Sequence, residues 1–166
     1  MGNASNKDKI VVPKSYKSTS IAKELLIRAS LEQKTLTPMQ LIKLVYLAHA
    51  WMLAIYSRPL ISEEVEAWQY GPVIPSLYHK IKEYRSNPVE YINSEENDSI
   101  DDNSVDIINQ VYEQYGRFSG IELSMLTHET GSPWEITWSN NKNTISNDLI
   151  TYYYRELLNK QNDKEN

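Results

Sequence analysis

Apolar residues recur along this chain at the three- and four-residue spacing that places side chains on one face of a helix. The pattern is clearest after Thr37, where two apolar faces leave little polar surface. The first face carries Leu41, Leu44, Val45, Ala48, Met52 and Ile55, and the second carries Ile42, Tyr46, His49, Leu53 and Tyr56. Thr37 suits the N-cap, Pro38 the first helical position, and Gln40 completes a capping box. The pattern therefore predicts a central helix that is buried on several sides.

Weaker patterns of the same spacing predict further helices around the central one. The first is capped by Ser18, Thr19 or Ser20 and ends before Thr35. The others cover about 75–87, 104–117, 119–126, 132–138 and 146–159, and two of them have a capping serine at their start, Ser119 and Ser132. Residues 64–70 alternate polar and apolar positions only in part, so either a short strand or an extended loop fits them. The predicted fold class is mainly α: a compact single-domain helical fold with at most a short strand or hairpin.

The polar ends of the chain mark the expected boundaries. We predict a flexible tail over residues 1–18, a helical domain over 19–160 and a disordered tail over 161–166. A chain of 166 residues suits one domain, and 40% apolar residues suffice for a core. It has no cysteine. Its first residues lack the basic segment followed by an apolar segment that is typical of a signal peptide, and no apolar run approaches the length of ~20 residues needed to span a bilayer. We therefore expect a cytoplasmic protein without a membrane partner.

The charge distribution opposes nucleic acid as a partner. The formal net charge is −5 at pH 7, and a negative chain repels nucleic acid at long range unless a local basic patch overrides that repulsion. Residues 1–17 carry four lysines and one aspartate, whereas residues 90–106 carry seven acidic residues and no basic one. Both segments fit solvated chain, and the acidic one also fits the steering of a basic partner.

The sequence contains no recognisable catalytic or metal-binding motif. His49, His79 and His128 stand apart, without a second histidine or a cysteine at the spacing of metal ligands. No Gly-x-Ser-x-Gly elbow and no glycine-rich phosphate loop occurs. An enzyme that pairs His49 or His128 with a distant carboxylate stays open as an alternative. We predict a protein that is not an enzyme, with no cofactor and no bound metal.

Three motifs follow one another at ordered spacing. Residues 38–51 read PMQLIKLVYLAHAW; Arg58-Pro59-Leu60 precedes EAWQYGPVIPSLY at 66–78; and LSMLTH at 123–128 precedes Ser132-Pro133-Trp134. Residues 145–153 fit a closing helix. Together these segments resemble the Panacea domain family, the SocA-like antitoxins, and the resemblance covers about residues 20–158.

The resemblance implies a compact, mainly helical domain that acts as the antitoxin of a toxin–antitoxin system and neutralises a cognate toxin by direct protein–protein binding. Family members are often encoded in phages or other mobile elements. An alternative within the same resemblance is a proteolytic adaptor that delivers a bound toxin to a protease. A DNA-binding regulator is a further alternative, which the net acidity and the lack of a basic recognition helix oppose.

Aromatic residues supply the candidates for a partner surface. The chain has 12 Tyr and 4 Trp, the residue types enriched in interface hot spots. The second motif holds several of them around a Gly-Pro turn between helices, where we expect the backbone to lie at the surface. The residues predicted to contact the partner are Tyr70, Tyr78 and His128, supported by Trp68, Gly71, Pro72 and Trp134. The opposing interpretation is that this motif packs on the central helix and only holds the fold.

Overall fold

The computed structural model describes residues 15–93 and 99–165, and helices dominate this part of the chain. The helices are α1 (Ser18–Leu31), α2 (Pro38–Tyr56), α3 (Pro75–Ile81), α4 (Asp102–Tyr115), α5 (Gly120–Thr127), α6 (Pro133–Ser139) and α7 (Asn147–Glu165), and a 3-10 turn (Lys82–Tyr84) follows α3. The strands are β1 (Val65–Trp68), β2 (Gly71–Val73) and β3 (Thr144–Ile145). The mainly α fold class is confirmed.

Helix α2 is the centre of the fold, as its apolar pattern predicts. Every residue from Leu41 to Ala54 is buried, and α1, α4, α5 and α7 all pack against the helix. By length and composition alone α2 could cross a membrane, but 78% of its most apolar window is buried inside the fold. A core helix passes the same length and composition test, and burial against the other helices accounts for the apolar surface of α2.

The predicted capping signals are present at three helix starts. The Thr37 hydroxyl accepts a hydrogen bond from Gln40 N at 3.4 Å, and Gln40 Oε1 accepts one from Thr37 N at 2.9 Å. Both halves of the capping box at the start of α2 therefore form. Ser119 and Ser132 accept in the same way from the third backbone N–H of α5 and α6, at 3.1 and 3.2 Å.

The start of α1 differs from the prediction. None of the three predicted caps is used, because the helix begins at Ser18 and its N-cap, Lys17, makes no side-chain cap bond. Instead, the Glu63 carboxylate accepts a hydrogen bond from Ser18 N at 2.6 Å and another from the Ser18 hydroxyl. A carboxylate at this position satisfies free N–H groups and complements the positive end of the helix dipole. The cap comes from a residue 45 positions away, so local patterns do not reveal it.

Both predicted tails need correction. Residues 15–18 do not form part of a flexible tail: Tyr16 is buried, and it bridges to Ile61. Residues 1–14 lie outside the described residues. Residues 161–165 are not disordered, because α7 continues to Glu165. They are polar, so no apolar periodicity marks them, but an established helix gains one hydrogen bond for each residue added.

A small antiparallel sheet forms beside the helices, with the strand order β2-β1-β3. Trp68 pairs with Gly71 in the β1–β2 hairpin, and Val65 pairs with Ile145 on the other side. The strand that the sequence left open is therefore present at β1. Strand β3 is not predicted, because two residues are too few to show alternation. The hairpin packs against α2, α5 and α6, which fixes its turn next to the α5–α6 connection.

One residue of the acidic segment has a structural role. Residues 94–98 lie outside the described residues, but Asp101 accepts hydrogen bonds from Ser104 N at 3.0 Å, Arg58 Nη2 at 2.6 Å and the Tyr16 hydroxyl at 2.7 Å. Burial alone raises the pKa of Asp101, but these hydrogen bonds outweigh it and hold the pKa well below its usual value. Asp101 therefore caps α4 and joins it to the end of α2.

His49 is a structural residue of the core. Its side chain is fully buried, and Nδ1 accepts hydrogen bonds from Leu60 N at 3.2 Å and Ile61 N at 3.3 Å. Nε2 lies 3.0 Å from Asn147 Oδ1, so the network assigns the proton to Nε2, which donates to Asn147. Burial lowers the pKa of His49, although the Asn147 hydrogen bond opposes this shift. A neutral imidazole therefore fixes both the chain after α2 and the start of α7.

Replacement of Leu44 tests the central position of α2. Leu44 is fully buried, and we expect Leu44→Ala to lower the free energy of unfolding by about 2–5 kcal/mol, as loss of a buried side chain from a packed core does. Leu31→Ala is the matched control, because Leu31 is 75% exposed on α1 and should change stability by less than about 0.5 kcal/mol. Equal urea-unfolding curves for the two variants would contradict the burial of Leu44.

Replacement of His49 tests its role as an acceptor. His49→Ala leaves the N–H groups of Leu60 and Ile61 without their acceptor, and each unsatisfied buried group costs about 1–3 kcal/mol. We expect a loss of at least about 2 kcal/mol in the free energy of unfolding. The exposed His79 provides the control, since His79→Ala removes an imidazole outside the core. If His49→Ala unfolds at the same urea concentration as the wild type, the structural role is contradicted and the catalytic alternative is favoured.

Candidate partner-binding site

Two motifs that are far apart in the sequence meet beside the sheet. Trp134 Nε1 donates a hydrogen bond to the Trp68 carbonyl at 2.6 Å, and the ring centroids of His128 and Trp134 are 4.1 Å apart. Trp68 and Tyr78 contact each other edge to face, with ring centroids 5.1 Å apart. We call Trp68, Tyr78, His128 and Trp134 the aromatic cluster. The structure thus brings together residues that the sequence predicted from separate motifs.

Each member of the aromatic cluster comes from a different element. Trp68 ends β1, Tyr78 lies on α3, His128 follows the last turn of α5, and Trp134 lies in the first turn of α6. The Ser132 cap starts α6 at Pro133 and so directs Trp134 towards β1. Trp68, Tyr78 and Trp134 are half-buried and pack against the core. They therefore support the fold while part of each ring stays accessible.

The Gly71-Pro72 turn lies against two buried nitrogen atoms. Gly71 has a φ of +115°, a conformation that residues with a side chain rarely adopt. A Cβ at this position would lie 2.6 Å from Lys43 Nζ and 3.3 Å from His128 Nε2. The backbone conformation therefore requires a glycine, and a Cβ at this position would also displace the end of the Lys43 side chain. Gly71 and Pro72 are buried and form a support rather than an exposed surface.

A pocket of about 540 Å³ opens next to the aromatic cluster. Its lining residues are Pro38, Met39, Ile42, Lys43, Trp68, Gln69, Tyr70, Val73, Tyr78, Lys82 and Arg85. Tyr70 is 63% exposed, while its carbonyl accepts a hydrogen bond from Ser124 Oγ at 2.8 Å. Its backbone is therefore fixed and its side chain is available for contact. His128 and Trp134 are not lining residues, and Trp134 is joined to the pocket through its hydrogen bond to the Trp68 carbonyl.

Lys43 lies at the floor of this pocket. Its side chain is only 2% exposed, and Nζ donates a hydrogen bond to the Pro72 carbonyl at 3.0 Å. A lysine ammonium carries three N–H donors, and within residues 15–93 and 99–165 the Pro72 carbonyl is the acceptor shown for it. Burial lowers the pKa of Lys43 to about 7, because a low-dielectric environment disfavours the charged form. Near neutral pH, Lys43 is therefore present in both protonation states.

His128 is the second buried nitrogen group with incomplete hydrogen bonding. Its Nε2 atom is inaccessible to solvent and has no partner among the described residues. Burial lowers the pKa of His128, and the nearby charge of Lys43 lowers it further. A neutral imidazole beside an ammonium avoids repulsion between like charges. Buried groups without partners are rare in native structures, because each one costs free energy.

Two exposed cations stand at the edge of the pocket. Lys82 and Arg85 belong to the lining, which contains neither aspartate nor glutamate. Sequence analysis missed all three cations as site residues. Lys43 could have been recognised from the sequence, because a lysine within an otherwise apolar helix is unusual. Lys82 and Arg85 could not, because they resemble the solvated residues found at the end of any helix. The pocket is therefore positive on a chain whose net charge is negative.

The chemistry that this site offers is recognition. It combines aromatic walls, the buried Lys43 and two exposed cations, which suits a partner with apolar and anionic groups. Across residues 15–93 and 99–165, no group of three histidine or acidic side chains is placed to hold a metal ion.

Comparison with known proteins defines the class to which the chain belongs. The family model for SocA-like antitoxins with a Panacea domain matches residues 41–135, a span that contains the hairpin, the aromatic cluster and most of the pocket. The chain therefore belongs to the SocA-like antitoxin family. It is similar to the protein named Antitoxin SocA from Caulobacter vibrioides (strain NA1000 / CB15N). The two are 29% identical over 136 residues, which cover 75% of this chain and 71% of that protein. No solved structure matches the chain significantly.

Burial of Lys43 predicts a pH-dependent stability. Its pKa of about 7 in the folded state lies below the usual 10.5, so the unfolded chain binds more protons between these pH values. The free energy of unfolding should therefore rise with pH above 7, by at most about 1.4 kcal/mol per pH unit from this residue. Lys43→Met should reduce the rise between about pH 7 and 9, as measured by urea unfolding. Lys34→Met, at an exposed lysine, should keep the full rise of the free energy of unfolding with pH. If this free energy rises equally steeply with pH in both variants, the lowered pKa of Lys43 is contradicted.

Proposed function

We propose that this protein neutralises a cognate toxin by binding it directly, and that the aromatic cluster and the adjoining pocket form the contact surface. The observation that carries the proposal is the convergence of two motifs of an antitoxin family on one accessible aromatic surface. The hydrogen bond from Trp134 to the Trp68 carbonyl joins the motifs, and Tyr70 and Tyr78 continue the surface into the pocket. Tyrosine and tryptophan provide large contact areas at low entropy cost.

Exposed apolar side chains next to the pocket favour a protein as the partner. Met39 lies at the pocket and against α5, since a Cβ on Gly120 would be 2.9 Å from Met39 Cβ. On α5, Ile121 is 71% exposed and Met125 is 67% exposed. Tyr70, whose backbone is hydrogen-bonded to α5, is exposed beside them. Apolar side chains exposed together mark a surface that a partner covers, and methionine adapts readily to different contacts.

Binding alone suffices for the proposed activity. A toxin is blocked when a shaped surface covers or distorts its working site, and this requires no reacting group on the antitoxin. The aromatic cluster and the pocket provide such a surface, and the net charge of −5 favours a protein partner over nucleic acid. We therefore propose a binding protein rather than an enzyme.

Alanine substitutions at Tyr70, Tyr78 and His128 test the contact surface. The toxin is sought as the product of the neighbouring open reading frame, and it must kill cells unless this chain is co-expressed. We expect at least one of the three substitutions to weaken toxin binding by about 1 kcal/mol or more, the usual threshold for an energetically important contact. Calorimetric titration measures the affinity, and growth during co-expression reports neutralisation.

The matched control is Tyr152→Ala on α7, because Tyr152 is exposed to nearly the same extent as Tyr70, 68% against 63%. The control should bind like the wild type, and circular dichroism should show that every variant is folded at the temperature of the binding assay. If all three site variants bind like the wild type, the interface lies elsewhere and the acidic segment 90–106 is the next candidate. If the toxin is degraded in cells instead of held in a stable complex, delivery to a protease is favoured over simple neutralisation.

A further inference from the structure

The charges of the pocket indicate which chemistry its occupant carries. Ile42, Val73 and Trp68 provide apolar walls, and the charged lining residues are all cationic: Lys43 at the floor, and Lys82 and Arg85 at the edge. On a chain with a net charge of −5, a pocket lined by cations and by no acidic residue is a local reversal of sign. Such a pocket attracts an anionic group and repels a cationic one.

The floor of the pocket offers hydrogen-bond donors. When Lys43 is protonated, its buried ammonium has three donors, and the Pro72 carbonyl is the acceptor shown for one of them. A carboxylate supplies two acceptor oxygens and a compensating negative charge, and hydrogen bonds between ionised groups are stronger than neutral ones. The apolar walls above Lys43 require that the carboxylate arrive together with an apolar group, because a pocket of this composition is filled by both.

The surroundings of the pocket favour an occupant that belongs to a larger partner. Tyr70 and Met39 are exposed at the pocket, and Ile121 and Met125 on α5 extend the apolar surface beyond it. A small molecule would fill the pocket and leave this surface uncovered. A folded protein covers both, with one side chain inserted as an anchor and the rest of its contact spread over α5.

We propose that the pocket receives an apolar side chain of the toxin together with a neighbouring aspartate or glutamate, whose carboxylate binds among Lys43, Lys82 and Arg85. This inference rests on the proposed function, in which the chain binds a toxin directly, and it adds the chemistry of the toxin surface. The apolar side chain lies between Trp68 and Ile42, and the carboxylate replaces the solvent at the cationic side.

Charge reversal at the edge of the pocket tests the proposal without disturbing the core. Lys82 and Arg85 are exposed, so the double variant Lys82→Glu/Arg85→Glu should keep the wild-type melting temperature. We expect it to raise the Kd for the toxin by about tenfold or more at low salt, because like charges then face each other. The control is Lys34→Glu/Lys80→Glu, which makes the same change of charge at exposed lysines outside the pocket and should stay within about threefold of the wild type.

A charge exchange then identifies the acid on the toxin. Each aspartate and glutamate of the toxin is replaced by lysine in turn, and binding to both forms of the antitoxin is measured. The proposal requires one toxin variant that binds the wild-type chain more weakly but binds Lys82→Glu/Arg85→Glu more tightly than the unaltered toxin does. Lys43→Met should also weaken binding of the unaltered toxin; if that variant fails to fold, the surface variants still decide the outcome.

The results separate this inference from the proposed function. If Lys82→Glu/Arg85→Glu binds the toxin as well as its control and no exchanged pair restores binding, the acidic anchor is overturned. A loss of binding in Tyr78→Ala under the same conditions would leave direct neutralisation standing. If the wild-type chain does not bind the toxin in any assay, the proposed function itself fails and the anchor fails with it.

Discussion

Burial of α2 is the constraint on which the rest of the structure depends. A helix buried along most of its length is more stable when its polar groups find protein partners, because an unpaired polar group costs free energy in a core. His49 finds them in the backbone after α2 and in Asn147 at the start of α7. Lys43 finds the Pro72 carbonyl in the hairpin turn. The polar residues of the central helix thus determine where the neighbouring loops lie, and one of those loops carries the candidate site.

The site is held by hydrogen bonds that end on backbone carbonyls. Trp134 donates to the carbonyl of Trp68, Ser124 to that of Tyr70, and Lys43 to that of Pro72. Because these bonds use the backbone of the hairpin, they leave the exposed side chain of Tyr70 available for other contacts. A rigid frame with accessible aromatic side chains reduces the entropy lost on binding, since little has to be ordered when a partner arrives.

The sequence revealed those parts of the fold that depend on neighbours along the chain. The periodicity of α2 and the capping residues Thr37 and Ser132 predicted helix positions, because the contacts involved span only a few residues. The cap that Glu63 provides for α1, the pairing of β3 and the polar end of α7 were missed. The first two need contacts between distant segments, and the third has no apolar pattern. For the candidate site, two motifs predicted the aromatic residues. The cationic side of the pocket was missed, because Lys43, Lys82 and Arg85 come together only through the packing of α2 against the hairpin and α3.

The bonds between α2 and α7 have a consequence for synthesis of the protein on the ribosome. Arg155 donates a hydrogen bond to the Ala54 carbonyl across 101 positions, and Asn147 accepts one from His49 across 98. The most apolar helix of the chain is therefore complete long before the helix that covers it and ties its end. Throughout that interval the nascent chain exposes apolar surface to chaperones, proteases and other unfolded chains. A chain interrupted before α7 is left with this surface uncovered, so α2 is buried on all its contacting sides only after α7 has been made.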